Sequence, residues 1–544
     1  MCGALEAGKN LRLKFENECV KDHTRFNKVL PRRQVCNFAK AGVKSLKKVP
    51  KAQKSAESMR DSFVQLLVLV VKDKDVDLDH IMSFPITQCP LSISYPDGEP
   101  LTTPKAKMME ILEPLQDTVL NESDMSLCDV YMVDGGNLIH SKLAVTKRLT
   151  SYGTLARSML LTACKQGRKE VHILLDTYSP DALKAKEREK RGEFQSEYVI
   201  SGPDQVMKES GSRLLKNSKF KVELGRYLIE EWQKPEYADI IGDKSIYVSH
   251  GGRCVCIWAT EDKEVKTIMP ETFQGIHQEA DTLLAFHSKQ VEGDILVRAS
   301  DTDVPIILIS MVGRHLAEEI AVKYGRIIVD YGIGDSRRLV DISAISTKLE
   351  SHQKGSSEAL PGLHSFTGSD YTAAFFGKGK KKALELMLDS PQYTHAFKNL
   401  GQGGQADMKT IEQFLCLLYG RKLKDKSNIN SIRSSKLLAM TTCKKTGDKW
   451  KHIQKVNCCL LPPCRIVLKE KIRRSQFVAM LWTRADSSNP LENLSPLDYG
   501  WVREEEKLIP LWYEGDTLPK TLSDSVEETE DVENVAVEED VAEG

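Results

Sequence analysis

Short apolar runs that stop at an acidic residue recur along the middle of this chain. Val130 to Val133 stops at Asp134, Val171 to Leu175 at Asp176, and Ile295 to Ala299 at a polar turn holding Asp301 and Asp303. Near-continuous apolar runs of this length mark strands buried on both faces, as in a parallel sheet. Stretches of helical periodicity separate them. Residues 141–166 have the length of a crossover between parallel strands. The segment SPDALKAKEREKRGEF after Asp176 reads as a basic helix, and HQEADTLLAFHSK as a helix with Glu279 and Asp281 in its first turn. Residues 245–259 read as a hairpin around His250-Gly251-Gly252, and residues 326–342 as another. Residues 359–387 begin as a helix, turn at Gly368-Ser369-Asp370 and pass through a glycine hairpin into a new helix. Alternating strand and helix signals predict an α/β fold with a mostly parallel, Rossmann-like sheet.

The flanks are less regular. Residues 61–130 hold one buried helix or strand around Gln65–Val71 and a turn at Tyr95-Pro96-Asp97-Gly98. Gly401 to Gly404 reads as a linker. Residues 410–482 read as helices interrupted at Leu461-Pro462-Pro463, and Trp482, Trp501 and Trp512 as a small packed module. The expected organisation is therefore an N-terminal region over 1–128 with no assigned role, a core over 129–400, a helical or mixed region over 401–520, and a tail over 521–544.

Composition changes this picture mainly through charge. Lys+Arg and Asp+Glu are equal at 77 each, but the tail carries ten acids and no base, which leaves 77 bases against 67 acids in residues 1–520. A mildly basic body with an acidic tail suits a nucleic-acid partner, and the tail has too few apolar residues to order. Lys44, Lys47, Lys48 and Lys51 form a basic run that fits nuclear import, nucleic-acid binding or a solvated helix face. The thirteen Cys are scattered without zinc-site spacing, which suits reduced intracellular thiols. The longest apolar run, Phe63 to Val71, is too short to span a bilayer. These features point to an intracellular, nuclear protein with no membrane partner.

The chemistry lies in the acids. In a parallel sheet the strand ends share one edge, so Asp134, Asp176, Asp301 and Asp303 would converge, joined by Glu279, Asp281 and Asp370. Seven carboxylates in one cleft repel one another unless cations neutralise them. Oxygen-only ligands favour Mg²⁺ or Mn²⁺, and two such ions about 4 Å apart can activate water and stabilise the leaving oxygen of a phosphodiester. Asp134, Asp176, Glu279 and Asp301 are expected nearer one ion, with Asp281, Asp303 and Asp370 on the second or its waters. Any single one of these acids also fits a helix cap. Gly377-Lys378-Gly379-Lys380-Lys381-Lys382 offers close backbone approach, helix-start amides and several ammonium groups for a phosphate backbone. His277 reads as a helix-entry residue.

The motifs VDGGNLI, HILLD with its basic helix, QEAD, ASDTDVPIIL and TGSDYT…GKGKKKALELM, in this order, resemble the flap endonuclease (XPG-type) branch of the PIN-like nucleases over residues 129–390. The resemblance implies a structure-specific, metal-dependent nuclease acting on branched or flapped DNA. It also implies a helix–turn–helix that grips duplex backbone, and seven metal-binding positions falling on the seven acids above. It extends to Lys184, Lys186 and Arg188 as phosphate contacts. In that family the nuclease domain begins near the chain terminus, whereas here about 130 residues precede the first acid, and residues 192–244 do not match the family's arch. The whole chain also resembles a multi-copy group of animal proteins associated with mobile elements. The rival readings are a PIN-type endoribonuclease and a non-catalytic nucleic-acid-binding or scaffold protein that keeps the fold.

Overall fold

Eight strands form one mixed sheet in the order β5-β4-β3-β2-β1-β6-β7-β8. They are β1 (Val130–Asp134), β2 (Glu170–Leu174), β3 (Ser245–His250), β4 (Arg253–Ala259), β5 (Val265–Ile268), β6 (Gly293–Ala299), β7 (Tyr324–Tyr331) and β8 (Arg338–Asp341). In this computed structural model, the described residues are 77–520 except 145–149, 179–182, 184–187, 189–191, 421–427, 442, 447–448, 453–456 and 505–506, with scattered residues before 77. The basic run at Lys44–Lys51, the acidic tail, most of the basic helix after Asp176, Lys184 and Lys186 lie outside them.

β3, β2, β1, β6 and β7 run parallel, and antiparallel hairpins close both edges. Both hairpins were expected from the sequence. Gly251 and Gly252 at the β3–β4 turn have φ of 61° and 80°, the left-handed backbone that a two-residue hairpin needs. The third edge strand, β5, was not expected. It is short and mostly exposed, as edge strands are.

Alternate residues of β1 enter different cores. Val130 and Met132 join one apolar cluster, and Tyr131 and Val133 join the other. Helices cover each face, which is why the strands read as unbroken apolar runs. On one side lie α1 (Gly135–Leu143), α2 (Tyr152–Cys164) and α3 (Ser218–Trp232). On the other lie α4 (Ala280–Gln290), α5 (Asp303–Ala317), α6 (Ile342–His352) and α7 (Ser356–Phe366). The crossover region 141–166 is thus the end of α1 followed by a separate α2.

The C-terminal helices extend that second core. They are α8 (Lys380–Leu388), α9 (Pro391–Gln402), α10 (Met408–Tyr419), α11 (Ile429–Met440) and α12 (Arg465–Thr483). Phe477, Val478 and Trp482 of α12 share the cluster that contains β6 and α5. The described residues from 59 onward form one compact unit. Gly401 lies inside α9, and Gly403 (φ 76°) stops that helix rather than opening a linker. A two-stranded ribbon, Cys443–Thr446 with Lys449–His452, lies within the stretch expected to be helices interrupted at Leu461-Pro462-Pro463. The buried element near Gln65–Val71 is helical at its described positions, with Val64, Leu67 and Val68 buried.

Candidate metal and phosphate site

The order of the parallel strands, 3-2-1-6-7, reverses direction between β1 and β6. At such a switch point the loops after neighbouring strands diverge and leave a crevice. Asp134 ends β1, Asp301 follows β6 by two residues, and Asp176 follows β2 by two. A cleft of about 730 Å³ opens there, lined by Asp134, Asp176, Glu279, Asp281, Asp301 and Asp370. Six of the seven expected acids thus face one cavity. The seventh, Asp303, lies fully buried at the first position of α5. Its main-chain N–H donates to Asp301 Oδ1 at 3.1 Å, so the two carboxylates form one turn.

Helix starts fix several of these groups. Asp134 Oδ1 accepts from the N–H groups of Gly136 (2.8 Å) and Asn137 (3.3 Å), capping α1. Gly135 is required beside it, because a Cβ there would lie 2.8 Å from the carbonyl oxygen of Leu174. Asp176 accepts from the N–H of Ala280 at 2.8 Å, which ties the end of β2 to the start of α4. Glu279 occupies the N-cap position of α4 without a side-chain capping bond, and its carboxylate accepts from the Tyr371 hydroxyl. The bland reading of these acids as helix caps is therefore correct for some hydrogen bonds. It does not account for six carboxylates sharing one cavity.

Electrostatics register the crowding. Burial, then the charge of Asp176, pushes the Asp134 carboxyl up to about 7 despite its two backbone donors. Arg188, the described member of the basic helix, approaches Asp176 (3.8 Å) and Glu279 (3.6 Å) and stacks over Tyr178. Burial lowers its pKa, but those two carboxylates outweigh burial and the net shift is upward. Arg298, Arg337 and Lys221 also line the cleft. These bases are themselves paired, Lys221 with Glu193 and both arginines with Asp330, so the cleft wall carries both signs of charge.

Asp281, Asp301 and Asp303 offer carboxylate oxygens within 4.8 Å of one another. Three oxygen donors at that spacing could hold a metal ion. No pattern in the sequence marks Lys105, whose ammonium contacts Asp301, Asp303 and Asp370 at 2.7, 3.1 and 3.2 Å. Behind it, His364 Nε2 lies 2.9 Å from Asp303 Oδ1. Burial, then Lys380, lowers the pKa of His364 to about 4, so the ring is neutral and Nε2–H donates.

The glycine-lysine turn is only partly as expected. Lys380 is fully buried, and its Nζ meets His364 Nδ1 (3.1 Å), the His364 carbonyl (2.8 Å) and Thr367 Oγ1 (2.9 Å). Three acceptors match the donors of an ammonium, so Lys380 locks α8 to α7 and does not reach nucleic acid. Lys381 is exposed, and Lys378 lies over the Tyr419 ring at 4.4 Å. Lys382 reaches the Leu418 carbonyl, and Lys436 adds a further charge beside Lys378 and Lys382. Gly377 is left-handed (φ 65°) and Gly379 precedes α8, both open to solvent. His277 is buried and bonds to Thr282 Oγ1 at 3.0 Å inside the α4 entry, a structural role. Trp482 and Trp501 are buried, and Trp512 packs on the Arg474 guanidinium.

No protein-family model and no curated protein matches this chain. Among the described residues, no helix is long and apolar enough to cross a membrane.

Proposed function

We propose that the cleft is the active site of a metal-dependent phosphodiesterase that hydrolyses the backbone of branched or flapped DNA. The observation that carries the reading is the convergence of six carboxylates on one cavity at the sheet's switch point, with a seventh directly behind. Asp281, Asp301 and Asp303 would hold a divalent ion, Mg²⁺ or Mn²⁺, and Asp134, Asp176, Glu279 and Asp370 complete the acidic set for a second. Such an ion supplies an activated water and neutralises charge on a phosphate. The protein's own groups do the remaining work. Arg188, Arg298, Arg337 and Lys221 present cations to a phosphate entering the cleft. Tyr371 orients Glu279, and the Asp134 carboxyl, held at about 7 without metal, would give up its proton when an ion binds.

Lys378, Lys381 and Lys382 at the α8 entry, with Lys436, would hold duplex backbone outside the cleft. Such contacts give affinity and register rather than sequence choice. They favour a duplex-containing substrate over the single-stranded RNA of an endoribonuclease, and a DNA substrate would place the protein in the nucleus.

The test offers the full-length protein labelled flap DNA, duplex DNA, single-stranded DNA and single-stranded RNA with Mg²⁺. Cleavage of the branched DNA in preference to the other three is expected. Cutting of RNA alone would transfer the site to a ribonuclease, and binding without cutting would reduce the protein to a nucleic-acid-binding scaffold.

A further inference from the structure

The acidic cluster contains a cation that the chain itself supplies. Lys105 Nζ lies 2.7 Å from Asp301 Oδ1, 3.1 Å from Asp303 Oδ2 and 3.2 Å from Asp370 Oδ2. Asp301 and Asp303 are also two of the three groups compact enough to hold a metal ion. Mg²⁺ sits about 2.0–2.1 Å from its oxygen ligands. An ion at that range from Asp301 and Asp303 would stand against the ammonium that now bridges them, and two cations so close repel strongly. We propose that Lys105 is an internal counter-ion that a divalent cation must displace, so that metal loading exchanges one cation for another. This rests on the metal-site reading above and adds how that site is filled.

The surroundings favour a moving side chain on a fixed backbone. The segment carrying Lys105 is stitched to the turn after α7: Ala374 N–H donates to the Leu101 carbonyl at 2.7 Å, and Phe376 N–H to the Ser92 carbonyl at 2.8 Å. Met108, Met109 and Leu112 just beyond it are fully buried. The segment is therefore part of the core and cannot swing out as a lid. A second cavity of about 160 Å³ adjoins the cluster, lined by Lys105 with Thr102, Thr103, Ser369, Asp370 and Thr372. On displacement the ammonium would move toward this cavity, keeping Asp370 while leaving Asp301 and Asp303.

Before any ion arrives, Lys105 neutralises carboxylates that would otherwise repel, and so keeps the apo site folded. Its loss should make the protein depend more on metal. The test is calorimetric titration of the full-length protein with Mn²⁺, beside Lys105→Gln, which removes the charge but keeps donors, and Lys105→Arg, which keeps the charge. Thermal unfolding with and without Mn²⁺ accompanies it. Lys105→Gln should bind Mn²⁺ at least about tenfold more tightly, because the ion no longer displaces a cation. Its metal-free midpoint should fall and its gain on adding Mn²⁺ should grow, while Lys105→Arg stays within about threefold of the wild type. Equal or weaker binding by Lys105→Gln would overturn the exchange and leave the metal site standing. No binding by any of the three proteins would overturn both.

Discussion

At the residue scale, Asp134 shows how the site balances opposing terms. Two backbone N–H groups favour its anion, yet burial and the neighbouring Asp176 charge win and raise its pKa to about 7. A raised carboxyl pKa means that the folded apo protein keeps a proton the unfolded chain has lost. Apo stability therefore falls as pH rises from the ordinary carboxylate range toward 7, and the loss is complete above it. A metal ion needs the anion, so Mn²⁺ affinity should rise with pH up to about 7 and then level, by as much as about tenfold per unit. Asp134→Asn should flatten that profile and raise the metal-free unfolding midpoint. A wild-type affinity independent of pH between about 5.5 and 7 would contradict the assignment. Lys105 and Lys380 show where the sequence was silent or misleading. Lys105 opens a short 3₁₀ helix and meets Asp301, 196 residues away, which no local pattern encodes. Lys380 looked equivalent to its neighbours, but it lies three, four and seven residues before the buried Ala383, Leu384 and Met387. That spacing marks the inner face of α8, and it was the signal that could have separated Lys380 from Lys381.

At the element scale, the strands and their acidic ends were legible because both halves of the signal are local. A buried parallel strand needs a continuous apolar run, and its carboxyl end is where polar side chains reach solvent again. Both hairpins were equally readable. Helix packing was less so, since it depends on partners distant in sequence. Gly362 in α7 is one example: a Cβ there would lie 2.2 Å from the Phe397 carbonyl of α9. Only glycine lets the two helices approach this closely, and α7 carries His364, which braces Asp303. Gly362→Ala should lower the thermal midpoint clearly, since forcing extra volume into a packed contact costs about 1–3 kcal/mol. Gly404→Ala, with nothing within 4 Å of its Cβ, is the matched control and should not. Equal midpoints for the two variants would mean that α7 and α9 do not pack as closely as the structure has them.

At the scale of the whole molecule, the site is not the property of a self-contained middle domain. The segment before β1 brings Lys105 to the acids, and its Gln116 accepts from the N–H of Asp341 at the far edge of the sheet. From the other end of the chain, Trp482 of α12 packs against His364 and Tyr371, the side chains that brace Asp303 and Glu279. Asp486, just past α12, takes Arg314, His315 and Lys289; the His315 hydrogen bond and the Arg314 and Lys289 charges hold its carboxyl far below the usual range even though burial acts the other way. The flanks thus close around the αβα layers and fix the second tier of the cluster. Composition does not show this closure, because apolar contacts between distant segments leave no mark on either segment alone. The central claim is that the converging acids make the cleft a metal-dependent phosphodiesterase. It is tested most directly by the rate at which full-length protein cleaves flap DNA with Mg²⁺, with Mg²⁺ chelated, and with Asp301→Asn in its place. Cleavage that needs the metal and falls by at least about a hundredfold in the variant is the expected result. Cleavage that survives chelation, or that Asp301→Asn leaves intact, would contradict it.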